Sequence, residues 1–144
     1  MRIIIFLSAL LASAIVMAES IITPDTARSI VQSMEDSLND RDWRAFGSKF
    51  SETGDLILFG SRRAVGPSEV EELIGNEWAE TPSDVTANLN AAEIRVITTD
   101  VAIVSVEAEF SGSQPSKDRA ILVIRSGRNG SQIEALRVFN AEGM

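Results

Sequence analysis

Residues 42–66 read DWRAFGSKFSETGDLILFGSRRAVG, and the fold follows from how this stretch is divided. Trp43, Phe46 and Phe50 fall at i, i+3 and i+7, the spacing of one face of a helix from Trp43 to about Phe50. Gly54-Asp55 then breaks that helix. The apolar run Leu56-Ile57-Leu58-Phe59 reads as a strand that stops at Gly60. Bulky rings on an element that leads straight into a strand build one wall of a concave pocket.

Upstream, Thr23-Pro24-Asp25 is a helix start: a hydroxyl cap, proline in the first turn, then an acid. Ala27, Ile30, Val31, Met34 and Leu38 recur at helical spacing to about Asn39. Asn39-Asp40-Arg41-Asp42 makes a turn and caps the next helix. Downstream, Ser61–Gly66 suits a short returning strand. A third helix begins at Pro67, with Ser68 and Glu71 at capping-box spacing, and ends near Thr81-Pro82. Val70, Leu73, Ile74 and Trp78 form its apolar face.

After Pro82 the pattern changes to period two. Asp84–Ile97, Val101–Phe110, Arg119–Arg125 and Gln132–Asn140 read as four consecutive strands. Val101–Phe110 is the clearest, because all its even positions from Ala102 to Phe110 are apolar. Ser111–Asp118 reads as a polar loop. Asn129-Gly130 reads as a hairpin turn, which explains the accidental glycosylation motif Asn129-Gly130-Ser131. Short links between these strands imply an antiparallel meander. The predicted fold is α+β: a cone-shaped, curved antiparallel sheet with three helices from the N-terminal half on its concave face, and a cavity at the wide end.

Composition excludes several chemistries. The chain of 144 residues has no His, no Cys and no Tyr. A zinc site of the usual kind, a Ser-His-Asp triad and a Cys-His pair are therefore not expected, and neither is a metal or other cofactor. Proton transfer would fall to a carboxyl group with a raised pKa, a lysine with a lowered one, or a water. A net charge of −8 makes nucleic acid an unexpected partner. No glycine-rich phosphate loop follows any strand.

Residues 1–18, MRIIIFLSALLASAIVMA, carry one charge, Arg2, and an apolar run from Ile3 to Met17. The run is shorter than the ~20 residues that span a bilayer. With Val16-Met17-Ala18 it reads as a signal peptide cleaved after Ala18. One domain over residues 19–144 is then expected outside the cytoplasm, periplasmic or extracellular, with no membrane attachment after cleavage.

The residues nominated for the site are of two kinds. Trp43, Phe46, Phe50, Phe59 and Trp78 are candidates to line the cavity, with core filling as the alternative. Asp55 and Glu107 are candidate acids. The structural role favoured for the first is satisfying a turn, and for the second it is cross-strand pairing, with Glu109, to the arginines of the later strands (Arg119, Arg125 and Arg137) on a solvated face. Arg137 is a candidate for holding an anionic group of a ligand.

The order of elements and their punctuation resemble the nuclear transport factor 2-like superfamily, in particular its SnoaL-like, ketosteroid-isomerase-like and polyketide-associated small bacterial members. The resemblance rests on the acidic turn before Trp43, then Phe46 and Phe50, Gly54-Asp55, Gly60, Gly66 and Trp78. Thr99-Asp100-Val101-Ala102-Ile103-Val104 and Leu136-Arg137-Val138-Phe139-Asn140 complete it. It implies a pocket for a small, partly apolar molecule and a homodimer formed through the sheet, with Val101, Ile103 and Ile121 as apolar area on its outer face.

The chain departs from those relatives where they do chemistry. Phe59-Gly60 stands where the isomerases place their catalytic Asp, their Tyr oxyanion donor is missing, and the cyclases' His is missing. Gly130 is followed by Ser131-Gln132 rather than the frequent Trp. The expected function is therefore a non-catalytic or accessory ligand-binding domain. The alternatives are a cofactor-free isomerase, dehydratase or hydrolase using one buried carboxylate, and an interaction domain with a filled cavity.

Overall fold

Thr23 starts the first helix as its sequence requires. Its Oγ1 accepts from the Thr26 amide at 3.2 Å, and the Thr23 amide donates back to Thr26 Oγ1. This is α1, Pro24–Asn39, in a computed structural model that describes residues 21–141. The proposed signal peptide lies outside the described residues. Ala27, Val31, Met34 and Leu38 form the buried stripe of α1.

Asp42 caps α2, Trp43–Gly47, by accepting from the Ala45 amide at 2.9 Å. The helix is shorter than its aromatic spacing suggests. Phe50 already belongs to a strand, β1 (Phe50–Leu58), which therefore begins six residues before the expected Leu56. β2 (Arg62–Val65) returns beside it, and α3 (Gly66–Trp78) follows at once. Because α3 starts at Gly66, Ser68 lies inside its first turn, and the Ser68–Glu71 box does not form. Glu69 takes over, accepting from the Val65 amide at 2.8 Å.

Four long strands complete the chain: β3 (Thr86–Thr98), β4 (Val101–Ser111), β5 (Ser116–Gly127) and β6 (Gly130–Asn140). They form the expected antiparallel meander. The sheet order is β2-β1-β6-β5-β4-β3, and β1 pairs with β6 in parallel. The sheet is therefore mixed rather than wholly antiparallel. The cause is topological: the chain leaves β1 and β2 through α3 and returns at the far edge, so the meander reaches β1 running in the same direction.

Irregularities between Phe50 and Asp55, Ala91 and Glu93, and Val123 and Ile124 break the ladder and add curvature. Gly54 sits in the first of these. A Cβ there would stand 2.3 Å from the Ile133 carbonyl oxygen, so only glycine lets β1 approach β6.

α1 covers the first part of the outer edge of β3. Asn39 accepts from the Ala87 amide at 2.7 Å and donates to its carbonyl at 2.9 Å, and Glu35 accepts from the Leu89 amide at 2.6 Å. Edge groups satisfied in this way cannot recruit another strand. The core lies between helices and sheet, with Phe50, Leu56, Leu122, Ile124 and Ile133 fully buried. Among the described residues, no helix is long and apolar enough to cross a membrane.

Candidate functional site

The helices do not fill the wide end of the curved sheet. A pocket of about 110 Å³ remains there. Met34, Leu38, Phe46 and Ile74 approach it from the helices. Leu89, Val106, Ala108, Ala120, Leu136 and Val138 form its floor on the sheet. These floor residues share one parity along each strand, so strand alternation alone turns them inward.

Its aromatic wall is a chain of rings. Trp78 lines the pocket at the end of α3, with Phe110 edge-on to it at 5.7 Å between centroids. Trp43 packs against Trp78 at a tilt of 46°, also at 5.7 Å, and Arg41 lies over the Trp78 ring at 5.4 Å. The Arg41 guanidinium also donates to the Thr81 and Pro82 carbonyls, fixing the end of α3. The Trp78 ring is thus held from several sides.

The nominated aromatics therefore divide. Phe46, Phe59 and Trp78 line the pocket. Trp43 supports Trp78 and does not line it. Phe50 is buried in the core, packed on Phe46 with centroids 6.0 Å apart. Phe59 stands in the left-handed backbone region at φ 51°, with Arg62 over its ring, and is 39% exposed. A bulky side chain in that region is strained, and such strain concentrates at functional positions.

The nominated charged residues lie elsewhere. Asp55 and Arg137 are on the outer face of the sheet, because Leu56, Leu136 and Val138 take the inward parity. Asp55 pairs with Arg137 at 2.8 Å and with Arg63 at 3.1 Å. Arg137 donates further to the Asp55 and Leu136 carbonyls. Its fork is occupied, and it does not reach the pocket. Glu107 is exposed on the same outer face, opposite Arg119.

Two acids that sequence reasoning passed over do line the pocket, and they are its only ionisable groups among the described residues: Glu77 and Asp118. Glu77 is held by the Arg62 guanidinium. Asp118 falls in the supposed loop, but β5 begins at Ser116, and Asp118, Ala120, Leu122 and Ile124 share the inward parity. Extending the period-two pattern two residues back would have found it. Burial pushes the Asp118 carboxyl above its ordinary pKa of 3.8.

A curved sheet wrapped on three helices, with an apolar pocket at its wide end, defines a class of small α+β domains. By sequence, no protein family and no curated protein matches the chain. By structure, the matches are numerous. A domain of unknown function with a cystatin-like fold from Nostoc punctiforme superposes with a TM-score of 0.75 at 20% identity, covering 83% of this chain and 78% of that one. A nuclear transport factor 2-like protein from Novosphingobium aromaticivorans gives 0.74 at 16% identity, covering 83% and 82%. A ketosteroid isomerase-like protein from Erwinia carotovora atroseptica gives 0.69 at 16% identity, covering 84% and 99%. The chain has the nuclear transport factor 2-like fold.

Proposed function

We propose that this domain binds a small apolar molecule in the pocket between helices and sheet, and that it does so without catalysis. One observation carries the reading: an unfilled apolar volume of about 110 Å³ walled by Phe46, Phe59, Trp78 and Phe110. Interiors normally close such spaces, and the open volume weighs against a filled cone.

Size constrains the ligand. Pockets for drug-sized molecules run to about 300–1,000 Å³, whereas an engineered cavity of about 150 Å³ takes benzene. At about 110 Å³ the space is somewhat smaller than that cavity, so one ring is the upper limit of what it suits, and a steroid nucleus does not enter without rearrangement. A thermal-shift screen of one-ring compounds tests this, with Ala120→Leu as the filled control. Single rings should raise the melting temperature of the unmodified protein and leave that of the filled variant unchanged. No shift with any of them would refute the reading.

An enzymatic reading is favoured by one observation. Asp118 is a carboxyl group in the pocket whose pKa is raised by burial, as an acid–base residue requires. It would replace Asp55 and Glu107 as the acid. Turnover abolished by Asp118→Asn with binding intact would decide for it.

The remaining expectations stand as proposals. Export rests on the apolar run at residues 3–17, and the mass of the protein recovered from outside the cytoplasm tests cleavage after Ala18. Pairing of two copies through the outer sheet face rests on exposed Ile121 and Phe139.

A further inference from the structure

Asp118 stands on the inward face of β5, opposite Ala108 of β4. Phe110 is its diagonal neighbour on that face, at the roughly 7–8 Å that such positions keep. Asp118 is half-buried, whereas Phe46, Leu56, Val106 and Leu136 of the same lining are buried. The carboxyl therefore marks the rim of the pocket, and the apolar interior lies behind it.

Asp118 lacks what the other withdrawn acids have. Asp55 is held by Arg137 and Arg63, and Glu77 by Arg62. Among the described residues Asp118 forms no ion pair, and burial alone raises its pKa, with no hydrogen bond or neighbouring charge contributing. Its chain neighbours Lys117 and Arg119 take the outward parity, Lys117 against Glu109 at 3.7 Å. Among the described residues, the buried side-chain atoms left without a partner are Glu77 Oε2 and Ser126 Oγ. The Asp118 oxygens, equally unpartnered, are not among them and so remain reachable. The Trp78 indole N–H on the same lining is a neutral donor and cannot cancel a charge.

From this geometry we infer that the pocket's ligand is a one-ring amine, its ring behind the rim and its ammonium group on the Asp118 carboxylate. The inference rests on the pocket being a binding site, as proposed above, and narrows the ligand from any small apolar molecule to this class. A carboxylate half withdrawn from water is stabilised by an opposite charge. At the rim the ammonium keeps part of its hydration, and Phe110 beside it offers an aromatic ring to the same cation. Glu77 and Arg62 already balance each other. A neutral hydroxyl would donate to Asp118 and leave its charge uncompensated.

Benzylammonium, benzyl alcohol and toluene, titrated separately by calorimetry at neutral pH, test the inference. Benzyl alcohol matches the amine in size and can use the Trp78 N–H, so the comparison isolates the charge. The expected dissociation constant for benzylammonium is at least about tenfold below that for benzyl alcohol. Asp118→Asn keeps the size of the side chain and should bring the two within about threefold, with benzyl alcohol binding as before. Glu107→Gln, which removes an exposed acid of the outer face, should leave the preference intact. It separates the site from the general pull of a chain with net charge −8. If Asp118→Asn does not fold, the order of benzylammonium and benzyl alcohol in the unmodified protein and in Glu107→Gln still decides.

Benzyl alcohol or toluene binding as well as benzylammonium overturns the ammonium inference and leaves the pocket reading standing. A preference that survives Asp118→Asn, or that is lost in Glu107→Gln, also overturns it. If none of the three binds, the pocket reading fails and the inference falls with it.

Discussion

Arg137 holds Asp55 from the neighbouring strand, its Nη2 2.8 Å from the Asp55 Oδ1. Each residue satisfies the other on the outer face of the sheet, at the one parallel pairing among the described residues. Arg63 adds a third group, 64% exposed and 3.1 Å from the same carboxylate. The pair is structural, and its removal should register in stability rather than in ligand binding.

Asp55→Ala should therefore cost about 3 kcal/mol, because it leaves Arg137 half-buried without its carboxylate. Arg63→Ala should cost under about 1 kcal/mol, since an exposed partner contributes little. Urea denaturation measures both. Equal losses for the two would contradict this division.

Asp118 should make stability depend on pH in the opposite sense to a salt-bridged acid. Its folded pKa lies above the ordinary 3.8, so the folded state holds the proton to higher pH than the unfolded chain does. The contribution is fully present below about 3.8 and is lost as pH rises through the folded value. Asp118→Asn, neutral throughout, should raise the melting temperature at pH 7. The gain should vanish as pH falls below about 4. Melting curves across that range check it, and a variant less stable at pH 7 would refute it.

Gly54→Ala should be among the most damaging single changes. The added carbon would stand 2.3 Å from the Ile133 carbonyl oxygen, an atom of the backbone that cannot swing away. Parting β1 from β6 should cost at least about 2 kcal/mol, by analogy with overpacked cores. Gly127→Ala meets no atom of the described residues within 4 Å and serves as the control. Hydrogen exchange at the Ile133 amide, which donates to the Lys49 carbonyl at 2.8 Å, should accelerate in the first variant only.

The outer face carries Ile121, 45% exposed, and Phe139, 42% exposed. Pairing of two copies there should be reported by sedimentation as a dimer. Ile121→Glu should then yield a monomer with unchanged ligand binding. A monomer before any substitution would dispose of the proposal.

Much of the architecture was readable in advance, for local reasons. The caps at Thr23 and Asp42, the stripe on α1 and the alternation of Ala102–Phe110 are each fixed by residues close in sequence. The parallel pairing of β1 with β6 was not readable, because it joins residues some eighty positions apart and depends on where α3 delivers the chain. The start of β1 was hidden because Phe50 satisfies a helical spacing and a strand equally well.

The site was legible by residue type more than by residue. Phe46, Phe59 and Trp78 line the pocket, whereas Trp43 and Phe50 pack behind that lining. Asp55, Glu107 and Arg137 face outward, because one step of strand parity decides the side. Asp118 was missed for the same reason in reverse: its polarity suggested a loop, although its parity with Ala120 and Leu122 points it inward.

The central claim is that the space between helices and sheet is open and receives a ring. Methyl NMR of the unmodified protein during a toluene titration tests it most directly. Shifts should concentrate on Met34, Leu89, Val106 and Leu136, which face the pocket, and spare Ile121 and Ile103 on the outer face. Methyl signals that do not move, or that move chiefly on the outer face, would contradict it.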